Sequence, residues 1–150
     1  MREDINNKFK EILKTKTTLF VGIGNGLKSD DAIGIYICKN IRQTNKIKTL
    51  IVESGIEKFV GKINSIAPEV LILVDCTDFN KDPGFIDFLP IKQIQDFTVN
   101  THTISVKRIS EFFKMKTYLL GIQPKNVKFG EEFSDKVLNA ADKLIKKINA

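Results

Sequence analysis

Two adjacent aspartates, Asp30 and Asp31, close the stretch VGIGNGLKSDDAIG at 21–34. A glycine-rich turn behind an apolar run commonly cradles a phosphate, but carboxylates there would meet the anion with like charge. A third aspartate, Asp75, stands at the end of the apolar run VLILVDC at 70–76, and the single histidine, His102, lies in DFTVNTHTIS. Two carboxylates and an imidazole make a donor set for a divalent transition metal, since carboxylate suits harder ions and imidazole suits nickel, zinc, copper and iron. Each residue also has a plainer role. The acidic pair could favour a helix N-terminus, Asp75 could sit in a polar turn, and His102 could be a surface residue. A proton-sharing pair of Asp31 and Asp75 is a further arrangement, which would leave His102 idle. The sequence has no GxSxG elbow, no HExxH helix and no Cys/His nucleophile signature. As a dinucleotide fingerprint the opening stretch keeps Gly22 and Gly24, but Leu27 replaces the third glycine. Glu53 is placed to contact a ribose, so a Rossmann-like nucleotide-binding module is the runner-up.

These residues need a scaffold, and the hydrophobic periods supply one. Ile5, Phe9, Ile12 and Leu13 recur at helical spacing and predict a helix over about 4–14. TTLFVGIG at 17–24 is apolar without alternation, as in a strand buried on both faces. Ile33, Tyr36, Ile37 and Ile41 form a helical stripe, TLIVES at 49–54 reads as a strand, and Phe59 to Ile66 reads as a helix stopped near Pro68. VLILVDC is the central strand, and DFNKDPG is turn chemistry. FIDFLP alternates and ends in proline, the pattern of an edge strand. A helix around 104–114, a strand at 117–123 and a long final helix through Ile148 complete the chain. Strands alternating with helices predict an α/β fold: a three-layer sandwich with a mostly parallel central sheet and helices on both faces. In such folds ligands sit beyond the carboxyl ends of the strands, so Asp31, Asp75 and His102 are expected to converge on one cleft there.

A chain of 150 residues fits one domain, 1–150. Cys38 and Cys76 lack CxxC spacing, which argues against a disulfide framework and for a reducing compartment. The opening MREDINNKFK has no apolar core of a signal peptide, and no run approaches the ~20 residues of a membrane span. A soluble, cytoplasmic protein without membrane contact is expected. The net charge of +6 is spread among Glu and Asp and concentrates only in the terminal KLIKKIN, the solvated face of a helix. Nucleic acid is therefore not an expected partner.

GIGNGLKSDDAIG at 22–34, LILVDCTD at 71–78, KDPG at 81–84, NTH at 100–102 and GIQP at 121–124 occur in one order. That ordered set resembles the maturation endopeptidases of nickel–iron hydrogenases, closest to the hydrogenase-3 type, over residues 18–126. The resemblance implies an enzyme that removes a C-terminal extension from a hydrogenase large-subunit precursor after nickel insertion. It implies nickel contacts from Asp31, Asp75 and His102, the nickel being carried by the precursor, the expected partner. It further implies that Gly22 and Gly24 turn the backbone, that Asn25 tolerates unusual angles, and that Asp31 is delivered toward a cation. A chaperone that holds the precursor without cutting it would share these motifs. Ser29 and Ala32 depart from the family's usual glycines, giving SDDA where GDDG is common, and Glu53 stands where Asp is frequent.

Overall fold

The computed structural model describes residues 1–53, 55–93, 108–130 and 132–150. Helix α1 (Glu3–Thr15) leads into β1 (Thr18–Ile23), a 3-10 turn (Ser29–Ala32) and α2 (Ile33–Lys39). Strand β2 (Ile47–Val52), a 3-10 turn (Ile56–Phe59) and α3 (Val60–Ile66) follow, then β3 (Val70–Cys76) and β4 (Ile86–Pro90). After a last 3-10 turn (Ser110–Phe112) come β5 (Lys116–Ile122) and the final helix α4 (Asp135–Asn149).

The strands form one sheet in the order β2-β1-β3-β5-β4. Four are parallel, and only β4 runs against its neighbour β5. β1 and β3 are buried at every position because both their faces and both their edges are covered, which is why neither alternates in sequence. β4 is the antiparallel edge that its alternation and Pro90 predict.

Two cores flank the sheet. On one face Phe20, Ile72, Val74, Leu120 and Ile122 pack with Phe9 of α1, Ile37 of α2 and Val137, Ala141 and Leu144 of α4. On the other, Leu19, Val21, Leu71, Leu73 and Leu119 pack with Ile63 of α3 and with Ile56 and Phe113. Each such large side chain removed from water contributes about 1.5–3 kcal/mol. The expected three-layer architecture is therefore present, with helices on both faces.

Several boundaries differ from the sequence reading. β2 begins two residues early, because its register pairs Ile47 with Thr18 at the start of β1. The helix expected at 104–114 lies outside the described residues up to 107. Its described end tightens into the 3-10 turn, and Phe113 is extended (φ −80°, ψ 132°). Ile41 falls beyond the end of α2, although it is still buried.

Chain order places the site. From β1 the chain moves outward to β2, then returns past β1 to β3, so the crossovers diverge between β1 and β3. α2 covers one face and α3 the other, as right-handed crossovers in opposite directions require. The divergence opens a crevice at the carboxyl ends of β1 and β3, where α/β sheets bind ligands. Asp31 follows β1, and Asp75 is the penultimate residue of β3.

Candidate active site at the carboxyl edge of the sheet

The two adjacent aspartates have separate jobs. Asp30 is fully buried and turns away from the crevice. Its carboxylate accepts the backbone N–H groups of Lys125 (2.9 Å), Asn126 (2.9 Å) and Ser134 (2.8 Å) and the Ser134 hydroxyl (2.7 Å). Burial works to raise its pKa, but these donors prevail and hold the carboxyl below its ordinary value. Further bonds complete the seam: Ser29 N–H donates to the Gly130 carbonyl (2.6 Å), Asp30 N–H to Asn126 (3.0 Å), and Gly130 N–H to Leu27 (2.9 Å). Asp30 thus fastens the loop after β1 to the segment before α4.

Asp31 is almost as deeply buried, 5 % exposed, and its Oδ2 accepts the Asn25 N–H at 2.9 Å. That bond sets the orientation of the carboxylate. Neither acid caps α2, whose N-cap is Ala32 with no side-chain hydrogen bond. The simple capping reading of the pair is therefore incorrect, since the intervening 3-10 turn moves both acids ahead of the cap.

The loop answers the phosphate question through its donors. The N–H groups of Asn25 and Leu27 go to Asp31 and to the Asn25 side chain, and those of Lys28, Ser29, Asp30 and Asp31 go to backbone carbonyls. A phosphate cradle needs such donors pointing at the ligand. Here the fold has already engaged them, which removes the nucleotide reading.

The expected backbone roles also shift. Gly22 lies inside β1, paired with Ile51 and Val74, and makes no turn. Asn25 is absent from the left-handed residues and instead accepts Leu27 N–H in a local side-chain turn. Gly24 does take a positive φ (155°), as the turn reading expects, and the second positive-φ residue of the loop is Ser29, at φ 43°, a site where the family motif usually carries glycine. Its hydroxyl donates to the Glu132 carbonyl at 2.7 Å, which offsets a strain of about 1–3 kcal/mol.

Two glycines bring the turn against the strands. A Cβ on Gly24 would collide with the Asp31 carbonyl oxygen, and one on Gly34 would collide with the Val74 carbonyl oxygen. The start of α2 therefore rests on the residue preceding Asp75. Asp75 is fully buried and registers with Gly121 on β5. Gln123, one residue beyond β5, organises the loop that follows β3. Its Oε1 accepts Phe79 N–H (2.6 Å) and Lys81 N–H (3.3 Å), and its Nε2 donates to the Asp78 carboxylate (3.2 Å). Sequence reasoning had not assigned that residue a role; its presence in the GIQP segment was the available signal.

The structure brings Asp31 and Asp75 to the carboxyl ends of neighbouring strands. His102 lies outside the described residues, and among the described residues no group of three or more His, Cys, Asp or Glu is gathered for a metal ion. Cys38 and Cys76 are both buried, and burial pushes the Cys38 thiol up, away from nucleophilic reactivity. Glu53 is exposed just beyond β2.

A model of the HycI hydrogenase maturation proteases matches residues 35–150. The chain belongs to the hydrogenase maturation protease family. A candidate hydrogenase maturation protease of Methanocaldococcus jannaschii is 31% identical over 97% of this chain and 92% of its own length. The crystal structure of HycI, a [NiFe] hydrogenase maturation protease of Thermococcus kodakarensis, superposes with a TM-score of 0.79 at 27% identity, covering 95% of this chain and 96% of that one. The solution structure of the endopeptidase HycI of Escherichia coli shares the fold at a TM-score of 0.76 and 20% identity, with 89% of both chains covered. For this maturation protease family member, the crevice between β1 and β3 is the candidate active site.

Proposed function

We propose that this protein is a processing endopeptidase that removes a C-terminal extension from the nickel-loaded large-subunit precursor of a [NiFe] hydrogenase. The observation that carries this reading is the placement of Asp31 and Asp75 at the carboxyl ends of β1 and β3, within a chain of the maturation protease family. In the proposal Asp31, Asp75 and His102 engage the nickel that the precursor brings, so the metal belongs to the substrate.

The donor chemistry suits that role. Oxygen and imidazole ligands accept a divalent first-row ion. Asn25 N–H fixes one carboxylate, and ligands held by such outer bonds meet a metal with little reorganisation. The metal would supply Lewis acidity beside the scissile bond. The chain itself contributes orientation: the Asp30 seam holds the loop bearing Asp31, and Gly34 seats the turn on the end of β3. No helix among the described residues is long and apolar enough to cross a membrane, and we place the activity in the cytoplasm.

Nickel-loaded precursor incubated with the protein is expected to lose the mass of its extension, while nickel-free precursor stays intact. Equal cleavage of both forms would overturn nickel recognition. Binding of the loaded precursor with no mass loss would assign the protein as a chaperone.

A further inference from the structure

Among the described residues four large hydrophobic side chains are exposed: Leu27 (61 %), Phe112 (65 %), Val127 (46 %) and Phe129 (77 %). Three of them stand on the two segments that the Asp30 seam joins. Gly130 N–H donates to the Leu27 carbonyl, and Lys28 and Gly130 form an isolated parallel bridge, so Leu27 and Phe129 occupy one crest. Exposed apolar groups concentrated in this way mark a surface that another molecule covers.

Its position indicates what covers it. Leu27 lies four residues ahead of Asp31 on the same loop, and Asp30 bonds directly to Lys125 and Asn126 at the base of the crest. Crest and candidate site are therefore one hydrogen-bonded unit, and a protein chain that reaches Asp31 passes beside the crest. Lys28, Lys125 and Lys128 lie beside the apolar groups, the acid next to them, Asp30, is buried and satisfied by its four donors, and exposed Glu132 follows at the far end of the seam. The Lys28 ammonium sits 5.3 Å from the centre of the Phe129 ring, keeping a cation at the apolar surface.

We infer that the crest of Leu27, Val127 and Phe129, rimmed by Lys28, Lys125 and Lys128, is the surface on which the hydrogenase precursor docks. It takes an apolar patch of the precursor bordered by acidic side chains. This inference rests on the proteolytic reading above and adds to it where the folded body of the substrate is held. The crest and the lysines select the partner, whereas Asp31, Asp75 and His102 meet its nickel.

The test compares the wild-type chain with Leu27→Ser/Phe129→Ser, with the charge-reversed Lys28→Glu/Lys125→Glu/Lys128→Glu, and with Phe112→Ser as a control. Phe112 is just as exposed but precedes β5, at the opposite edge of the sheet. Interferometry against the nickel-loaded precursor of the host's own large subunit, with its extension intact, should show binding at least ten-fold weaker for the first two variants and unchanged for Phe112→Ser. Processing should show a raised KM with kcat retained, and wild-type affinity should fall with added salt. Circular dichroism confirms that each variant is folded. Wild-type cleavage with undiminished binding by the Leu27/Phe129 variant overturns the docking surface alone. A wild-type chain that neither binds nor shortens the precursor overturns the proteolytic reading and this inference together. Leu27/Phe129-dependent binding to phosphatidylglycerol vesicles, or a dimer lost only in that variant, would assign the crest elsewhere and overturn it as well.

Discussion

Asp30 and Asp31 are neighbours with identical side chains, and their surroundings separate them. Asp30 accepts four hydrogen bonds from donors 95 to 104 residues away in the chain, so it acts as an internal fastener. Replacing it with Asn swaps an acceptor for a donor amid N–H groups. The Asp30→Asn chain is expected to lose about 2–3 kcal/mol of stability, the cost of leaving charge-assisted buried donors unsatisfied. A shift of the urea midpoint at an unchanged slope measures that loss. Asp31 is oriented by one backbone N–H, and Asp75 closes β3. The role proposed for them predicts that Asp31→Asn and Asp75→Asn each lower processing of nickel-loaded precursor at least about 100-fold, the scale of losing a group that stabilises the reacting centre. Single-turnover cleavage followed by mass spectrometry provides the readout.

Helices and strands carry their own tests. α3 ends at Ala67, which takes the left-handed conformation (φ 54°) and is followed by Pro68. That position favours glycine. Ala67→Gly is expected to raise stability by about 0.5–1 kcal/mol, the relief of the Cβ clash less the added freedom of the unfolded chain. The melting temperature should rise with it. α2 and α4 are tied by the Tyr36 hydroxyl, which donates to the Asp142 carboxylate at 2.7 Å. That bond first, then burial and the negative charge of Asp142, raise the Tyr36 pKa above its ordinary value of 10.0. A raised folded-state pKa means that the contribution is present below about pH 10 and is lost as the pH climbs through the folded value. Tyr36→Phe should therefore be less stable than wild type at pH 7 by roughly 0.5–1.5 kcal/mol, with the gap closing toward pH 11. Urea titrations of both chains at pH 7, 9 and 11 decide it.

At the scale of the whole molecule, the sheet order β2-β1-β3-β5-β4 converts two separate strand ends into one crevice. The crossovers part between β1 and β3, so the loops bearing Asp31 and Asp75 are not bridged by a helix at that edge. The seam from Asp30 then adds the 125–134 segment to the same rim, and Gln123 adds the loop that follows β3. Under the proposed function, a precursor meeting this edge would encounter Asp31 and Asp75 at depth and the apolar groups Leu27, Val127 and Phe129 at the surface.

The sequence by itself determined the layers, the edge position of β4, the existence of a long final helix and the family. Hydrophobic period reports which face of an element is buried, and burial on both faces erased the alternation of β1 and β3 before any coordinates were needed. It also placed the Asp30–Asp31 pair and Asp75 at strand ends, and the family resemblance picked Asp31 from the pair. Only the tertiary structure decided that Asp30 is a fastener, that Ser29 holds the left-handed turn, that Gln123 anchors a loop, and that Leu27 and Phe129 share a crest. Each of those roles depends on a partner from another part of the chain, as with Ser29 and the Glu132 carbonyl. Local pattern carries no trace of such a partner, because the hydrogen bond is set by how the strands are ordered and not by the residues on either side.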